Sequence, residues 1–188
     1  MKNDVYSVCP TYQGVKTTLR QTVLEDADEL LKCYSDRKAA PFFNSDHCNG
    51  DDFYYQTVAR MQQTIQMWNS SYAQRLFVRW TVIDNDSGAA VGTVEMFHRT
   101  ADDDCNHFGL LRIDLRSEYE KKEYIGDILE ITNARFYTDF DVAVILTKAI
   151  PAAFERISAL RDKGYLPFNR KLMTYDDYFM REQLPLEK

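Results

Sequence analysis

The sequence is poor in the residues that mark several protein classes. It contains only 7 glycines, 5 prolines and 4 cysteines in 188 residues, and no stretch approaches the roughly 20 apolar residues of a membrane-spanning helix. Cys9, Cys33, Cys48 and Cys105 form no close pair, so neither a disulfide framework nor a Cys-x-x-Cys metal site is expected. The first 14 residues lack the basic start and apolar run of a signal peptide. A reduced, cytoplasmic protein is therefore expected.

Positive charge is also scarce. The chain has 23 Lys and Arg residues against 29 Asp and Glu residues, which gives a formal net charge of −6. Nucleic acids and anionic membranes bind cationic surfaces, where binding displaces counterions, so neither is an expected partner. The acidic balance instead favours a cationic substrate, and any phosphate-bearing ligand needs a local basic patch.

The histidines do not have the spacing of metal ligands. His47 is next to Cys48, and His107 is near Cys105, but neither pair has the spacing of a zinc site. The acidic run 102–104 lacks the spaced ligands and the glycine of a calcium loop. No metal site is expected.

The residues that are present predict one folded α/β domain over 1–188, with 1–14 as a polar leader. Hydrophobic residues make up 45% of the chain and aromatic residues 13%, which is enough to form a core at this length. The hydrophobic periodicity predicts strands at 15–21, 75–84, 89–99, 109–116, 142–146 and 175–182, and helices at 22–36, 51–70, 120–137 and 151–163.

The predicted strand 109–116 alternates between apolar and charged residues. Its apolar positions are Leu111, Ile113 and Leu115, and its charged positions are Arg112, Asp114 and Arg116. Such alternation is typical of a strand that is buried on one face and open on the other.

The order of these elements resembles the GNAT N-acetyltransferase superfamily. Four local stretches carry the resemblance. They are Leu19-Arg20 leading into Glu25-Asp26-Ala27, the hairpin from Val82 to Glu95, the strand-to-helix segment from Leu115 to Leu129, and Arg161-Asp162-Lys163-Gly164-Tyr165. The first and last are similar to the ribosomal-protein N-terminal acetyltransferase branch. The resemblance implies a mixed sheet of about six or seven strands with about four flanking helices.

The resemblance also implies an acetyl-CoA site at the fourth strand and the start of the next helix. The first N–H groups of a helix lack internal partners and carry the positive end of its dipole, so they accept a pyrophosphate. The loop of the family has the pattern Arg or Gln, two residues, Gly, one residue, then Gly or Ala. Gly126 matches the last small position of this pattern. Lys121 then stands at the Arg or Gln position, and Tyr124 stands at the position of the first Gly. Counted from Leu115, the segment is one residue longer than the family pattern. The implied cofactor-binding residues are Ile113, Leu115, Lys121, Lys122, Tyr124, Ile125, Gly126 and Asp127.

Two carboxylates are candidates for the base that deprotonates an amine acceptor. They are Glu95, late in the hairpin, and Asp114; each can instead form a cross-strand ion pair, for example with Arg112. The resemblance implies that an N–H group of the fourth strand stabilises the oxyanion. Leu160 stands where the family often has a tyrosine acid.

Two functions therefore stay open. The first is an acetyl-CoA-dependent N-acetyltransferase, monomeric or homodimeric, that acts on a primary amine of a small molecule or a protein N-terminus. The alternative is a catalytically inactive acyl-CoA-binding, partner-binding or sensor domain, which Tyr124, Leu160 and the additional loop residue favour.

Overall fold

The computed structural model describes residues 4–184. Within them the strands are β1 (Tyr12–Gln13), β2 (Thr17–Gln21), β3 (Val78–Asp84), β4 (Ala90–His98), β5 (Gly109–Leu115), β6 (Val144–Lys148), β7 (Leu166–Pro167) and β8 (Tyr178–Glu182). The helices are α1 (Ala27–Tyr34), α2 (Val58–Ala73), α3 (Lys122–Asp139) and α4 (Phe154–Asp162). None of these helices has both the length and the apolar character needed to cross a membrane.

The described strands form one mixed sheet in the order β1-β2-β3-β4-β5-β6-β8-β7. Only β5 and β6 are parallel neighbours, and the other neighbouring pairs are antiparallel. The predicted mixed α/β architecture is confirmed. The sheet has eight strands rather than six or seven because β1 and β7 contain two residues each, too few to give a periodic signal.

The parallel pair β5 and β6 separates partway along its length. Pairing covers three residues and ends at Leu111 with Thr147, whereas β5 remains paired to β4 as far as Leu115. The N–H of Arg116 bonds to β4, and hydrogen-bonding direction alternates along a strand. The N–H groups of Ile113 and Leu115 therefore point towards the gap that β6 leaves.

The charged face of β5 is buried, which corrects the prediction of a half-buried strand. Arg112 is 7% exposed and Asp114 is fully buried. This face of the sheet packs under the first two helices, with Tyr34 of α1 in contact with β4 and Trp68 of α2 against β3. The apolar face of β5 joins the core that α3 and α4 complete.

The second helix begins later than the sequence predicts. Its first residue is Val58, and Thr57 caps it by accepting a hydrogen bond from the Arg60 N–H at 3.2 Å. Asp51, the first residue of the predicted helix, lies in a turn before α2. Its Oδ1 accepts a hydrogen bond from the Phe53 N–H at 2.8 Å, and such an Asx turn competes with helix formation.

The first helix also starts later than predicted. A 3-10 turn at Leu24–Asp26 precedes α1, and the carboxylate of Asp26 accepts a hydrogen bond from the Val23 N–H at 3.0 Å.

Candidate active site

A network of buried charges lies under α1 and α2. Asp114 accepts hydrogen bonds from Arg112 Nε at 3.0 Å, from Arg79 at 3.4 Å and from the Tyr34 hydroxyl at 3.0 Å. Burial raises the pKa of Tyr34 well above its usual value, and the carboxylate of Asp114 adds to the effect. Asp114 thus forms the ion pairs that the sequence allowed as the alternative to catalysis, in a position without access to solvent.

Glu95 lies beside this network but reaches an open space. It is the cross-strand neighbour of both Arg79 and Arg112, and its Oε2 pairs with Arg79. Burial opposes the charge of Arg112, yet Asp114 and Glu95 together raise the pKa of that guanidinium above its usual value. Of the two predicted carboxylates, Glu95 is the one that lines an open space.

The open space is a cavity of about 260 Å³, called here the inner cavity. It lies over β4 and β5 where β6 begins to diverge. Its polar lining comes from Asn44, Asp46, His47, Cys48, Glu95, Arg99, Arg112 and Tyr178, and its apolar lining from Phe97, Leu110, Leu111, Leu172 and Met173. Several of these polar groups are engaged elsewhere: Asp46 binds Lys148 at 2.7 Å, and Arg99 binds Asp103 at 2.5 Å.

A second depression of about 1030 Å³, the lysine groove, lies at the start of α3. Its basic lining residues are Lys16, Lys121, Lys122 and Lys163. A Cβ placed on Gly126 would meet only Lys163 Cε, at 3.8 Å, so the backbone is accessible there. The lysines and the accessible backbone suit a phosphate group. The same lining also contains the carboxylates of Glu120, Glu123, Asp127, Glu130 and Glu155, so the groove does not form the local basic patch expected from the sequence.

Carboxylates of the chain occupy the same groove. The N–H of Lys122, in the first turn of α3, donates to Glu155 Oε2 at 2.8 Å. The Lys122 ammonium pairs with Asp162 at 2.6 Å. A phosphate bound at this helix end would therefore have to displace Glu155.

A buried ion pair closes the inner side of the groove. Arg156 of α4 is 2% exposed and binds both oxygens of Glu120, at 2.7 and 2.6 Å, and the carbonyl of Phe42 at 3.2 Å. Although burial opposes its charge, Glu120 raises the pKa of Arg156 above the usual value.

The residues expected to bind the cofactor divide into two groups. Lys121, Lys122, Gly126 and Asp127 line the lysine groove, whereas the side chains of Ile113, Leu115, Tyr124 and Ile125 do not. The carboxylate of Asp127 accepts hydrogen bonds from the backbone N–H groups of residues 15–17.

Tyr124 does not crowd the groove. Its hydroxyl donates to Asp84 Oδ1 at 3.3 Å, and its ring packs against Tyr119 at 5.0 Å. Desolvation and the nearby Asp84 carboxylate raise its pKa to about 12.

The sequence pattern did not reveal Arg79, Glu120, Glu155 or Arg156. Arg79 carried a weak signal, because a charged residue lies in the otherwise apolar predicted strand 75–84. The other three are ordinary charged residues near helix starts, and only packing of α4 against the start of α3 brings them together.

The mixed sheet with four helices is the architecture that the resemblance implied, and its two parallel strands diverge beside the start of α3. Comparison with known proteins gives the family directly: the model for the acetyltransferase (GNAT) domain matches residues 16–155. The chain belongs to this family, and the membership supports acetyl transfer in general. A search of the curated proteins gives no match.

Solved structures share the fold at low sequence identity. A ribosomal-protein-S5-alanine acetyltransferase from Vibrio fischeri superposes with a TM-score of 0.67 at 16% identity, covering 95% of this chain and 100% of that one. Mycobacterium smegmatis RimJ in complex with CoA-disulfide gives 0.73 at 11% identity, with coverages of 92% and 87%. Spermidine N-acetyltransferase from Vibrio cholerae, in complex with CoA and spermine, gives 0.64 at 12% identity, with coverages of 89% and 96%. The first two are consistent with the ribosomal-protein acetyltransferase branch.

Proposed function

We propose that the protein is an acetyl-CoA-dependent N-acetyltransferase that acts on a primary amine of a small molecule or a protein N-terminus. The divergence of β5 and β6 after Leu111 is the observation that carries this proposal. It leaves the N–H groups of Ile113 and Leu115 facing a gap. The inner cavity lies at the start of that gap, and the lysine groove follows the end of β5.

Each part of this arrangement has a role in amine acetylation. Bound acetyl-CoA supplies an activated acetyl group. Lys121, Lys122 and the accessible backbone at Gly126 hold the phosphates, and N–H groups of β5 stabilise negative charge on the thioester oxygen.

Glu95 supports attack by the amine. An ammonium must lose a proton before its nitrogen can react, and Glu95 is the carboxylate at the cavity that can accept it. The nitrogen–carbon bond forms, the carbon–sulfur bond breaks, and the thiolate of CoA leaves. Leu160 is fully buried, and its side chain has no ionisable proton to donate. In this proposal the thiolate therefore takes its proton from solvent.

One observation favours the second candidate, a GNAT-like domain that does not catalyse the reaction. The Glu155 carboxylate already accepts the Lys122 N–H, which is an arrangement expected if the phosphate position has become an internal contact. The two candidates differ in whether CoA displaces that carboxylate.

Calorimetric titration with acetyl-CoA, followed by a thiol-release assay on a panel of amines, tests the proposal. We expect saturable binding and amine-dependent thiol release. Absence of heat at millimolar acetyl-CoA would refute it, and binding without thiol release for any amine would favour the second candidate.

The position of the cofactor can be tested at Gly126. Gly126→Glu places a carboxylate in the lysine groove and should reduce the affinity for acetyl-CoA at least tenfold. Gly126→Ala is the matched control, because the added methyl group makes only ordinary contact with Lys163. Equal affinity of the two variants would show that the phosphates bind elsewhere.

A further inference from the structure

Arg112 lines the inner cavity, and neither of its two terminal nitrogens has an oxygen acceptor among the described residues. Its Nε binds Asp114 at 3.0 Å, and its guanidinium carbon lies 3.7 Å from the centre of the Phe53 ring. The other two nitrogens lack oxygen partners within residues 4–184: Nη1 contacts only Cys48 Sγ, at 3.7 Å, and Nη2 has no partner. Stacking on a ring leaves the edge of a guanidinium free.

A buried guanidinium edge without an acceptor is energetically unfavourable. Charged donors that lose water need a hydrogen-bonding partner, and Arg112 is 93% buried, since its exposed fraction is 7%. The two terminal nitrogens of arginine match the two oxygens of a carboxylate. A small planar anion therefore has the chemistry to pair with this edge.

Glu95 supplies the opposite charge next to this edge. Glu95 and Arg112 are directly paired across β4 and β5, yet Glu95 uses Oε2 for Arg79. Its Oε1 makes no hydrogen bond with any residue of the described part of the chain. One carboxylate oxygen without a partner thus lies beside a guanidinium whose terminal nitrogens have only the weak bond to Cys48 Sγ.

The remaining walls of the inner cavity are apolar and restrict the size of the occupant. Phe97, Leu110, Leu111, Leu172 and Met173 line it. Its volume of about 260 Å³ is below the roughly 300–1,000 Å³ typical of pockets for drug-sized ligands. A metabolite with a short apolar side chain fits these limits.

We propose that the acceptor is a free α-amino acid with an apolar side chain. This inference rests on the proposed function and specifies its substrate. Arg112 binds the α-carboxylate, Glu95 binds the α-ammonium and accepts its proton, and the side chain contacts the apolar walls. The neutral α-nitrogen then forms the new bond to the acetyl carbon and gives up its second proton to water as the bond from that carbon to sulfur breaks. The products are an N-acetyl amino acid and the CoA thiolate.

The acidic composition predicts a cationic acceptor, and the inner cavity refines that expectation. The formal charge of −6 belongs to the whole chain, whereas Arg79, Arg112, Glu95 and Asp114 balance one another beside the cavity. A zwitterion preserves this balance, but a polyamine would not.

A ligand series tests the proposal without changing the protein. Leucine, leucinamide and isoamylamine share the apolar side chain, but only leucine carries a carboxylate. We expect leucine to bind at least tenfold more tightly than either analogue in calorimetry without acetyl-CoA, and to give at least tenfold higher kcat/KM in thiol release.

The outcomes separate this inference from the proposed function. Acetylation of leucinamide or isoamylamine as efficiently as leucine would overturn the amino-acid inference but would still support the proposed acetyltransferase activity. Leucinamide represents a peptide N-terminus in this comparison. Preferential binding of leucine without thiol release would support the acceptor site while contradicting the acetyltransferase. Equal binding of the three compounds would overturn the inference in either case.

An Arg112→Lys variant identifies the donor. Lysine keeps a cation near Asp114 but loses the paired donors, so the preference for leucine over isoamylamine should fall at least tenfold. Arg60→Lys is the matched control: Arg60 also pairs with a carboxylate, Asp51, and lies 5.0 Å from an aromatic ring, that of Tyr55, but outside the inner cavity. A full leucine preference in folded Arg112→Lys would overturn the assignment to Arg112.

Discussion

The inner cavity and the lysine groove both contain ion pairs, but they hold them in different surroundings. Beside the cavity, the side chains of Arg79 and Asp114 are 2% and 0% exposed. In the groove, the side chains of Lys122 and Asp162 are 46% and 56% exposed. These two ion pairs therefore experience a dry environment beside the cavity and an aqueous one at the groove, where the Arg156–Glu120 pair on the inner side is the buried exception.

This difference indicates how each region can respond to a ligand. A buried ion pair leaves an uncompensated charge if one partner is removed, whereas an exposed pair contributes about 0–1 kcal/mol and can be replaced by water or another ion. The cavity is thus suited to present fixed groups to an acceptor. The groove is suited to exchange its own carboxylates for phosphate.

The largest expected effect is on catalysis at the cavity. Glu95→Gln should lower kcat/KM for the amine by roughly 10²–10⁴-fold, the usual contribution of a general base, while binding of acetyl-CoA at the groove changes little. Thiol release and calorimetry measure the two quantities on the same preparation.

The control for Glu95→Gln is Glu29→Gln. Glu29 also pairs with an arginine, Arg116, at 2.7 Å, but it is 38% exposed and lies outside both regions. If the two variants retain the same kcat/KM, Glu95 is not the base.

The next effect concerns stability and compares the two regions directly. Asp114→Ala leaves Arg79 and Arg112 without their shared carboxylate and should lower the free energy of unfolding by about 3–5 kcal/mol. Asp162→Ala removes an exposed partner in the groove and should cost less than about 1 kcal/mol. Urea denaturation of both variants measures the difference, and similar losses would show that burial does not distinguish the two networks.

Much of the architecture follows from local patterns, because hydrophobic periodicity reports which residues form each strand and helix. The hairpin and α3 lie close to their predicted positions. The burial of Arg112 and Asp114 could not be predicted, since alternation separates two faces of a strand without showing what covers the charged one.

The candidate site was only partly predictable for the same reason. Glu95 and Lys121 stand in recognisable local contexts, at the end of a hairpin and at the start of a helix. Glu155 acts across 33 residues on the N–H of Lys122. Such a contact depends on how α4 packs against α3, which neither segment encodes alone.

The smallest expected effect tests whether Glu155 competes with the cofactor. A charge at a helix end contributes about 0.3–1 kcal/mol, so Glu155→Gln should tighten CoA binding by about two- to fivefold as this competing interaction is weakened. Glu130→Gln is the matched control, because Glu130 lines the same groove and pairs with Lys163 but does not bind the helix N–H. Calorimetry at low ionic strength, where screening is weak, measures both affinities. Equal tightening in the two variants would indicate that general charge in the groove, and not occupation of the helix end, limits binding.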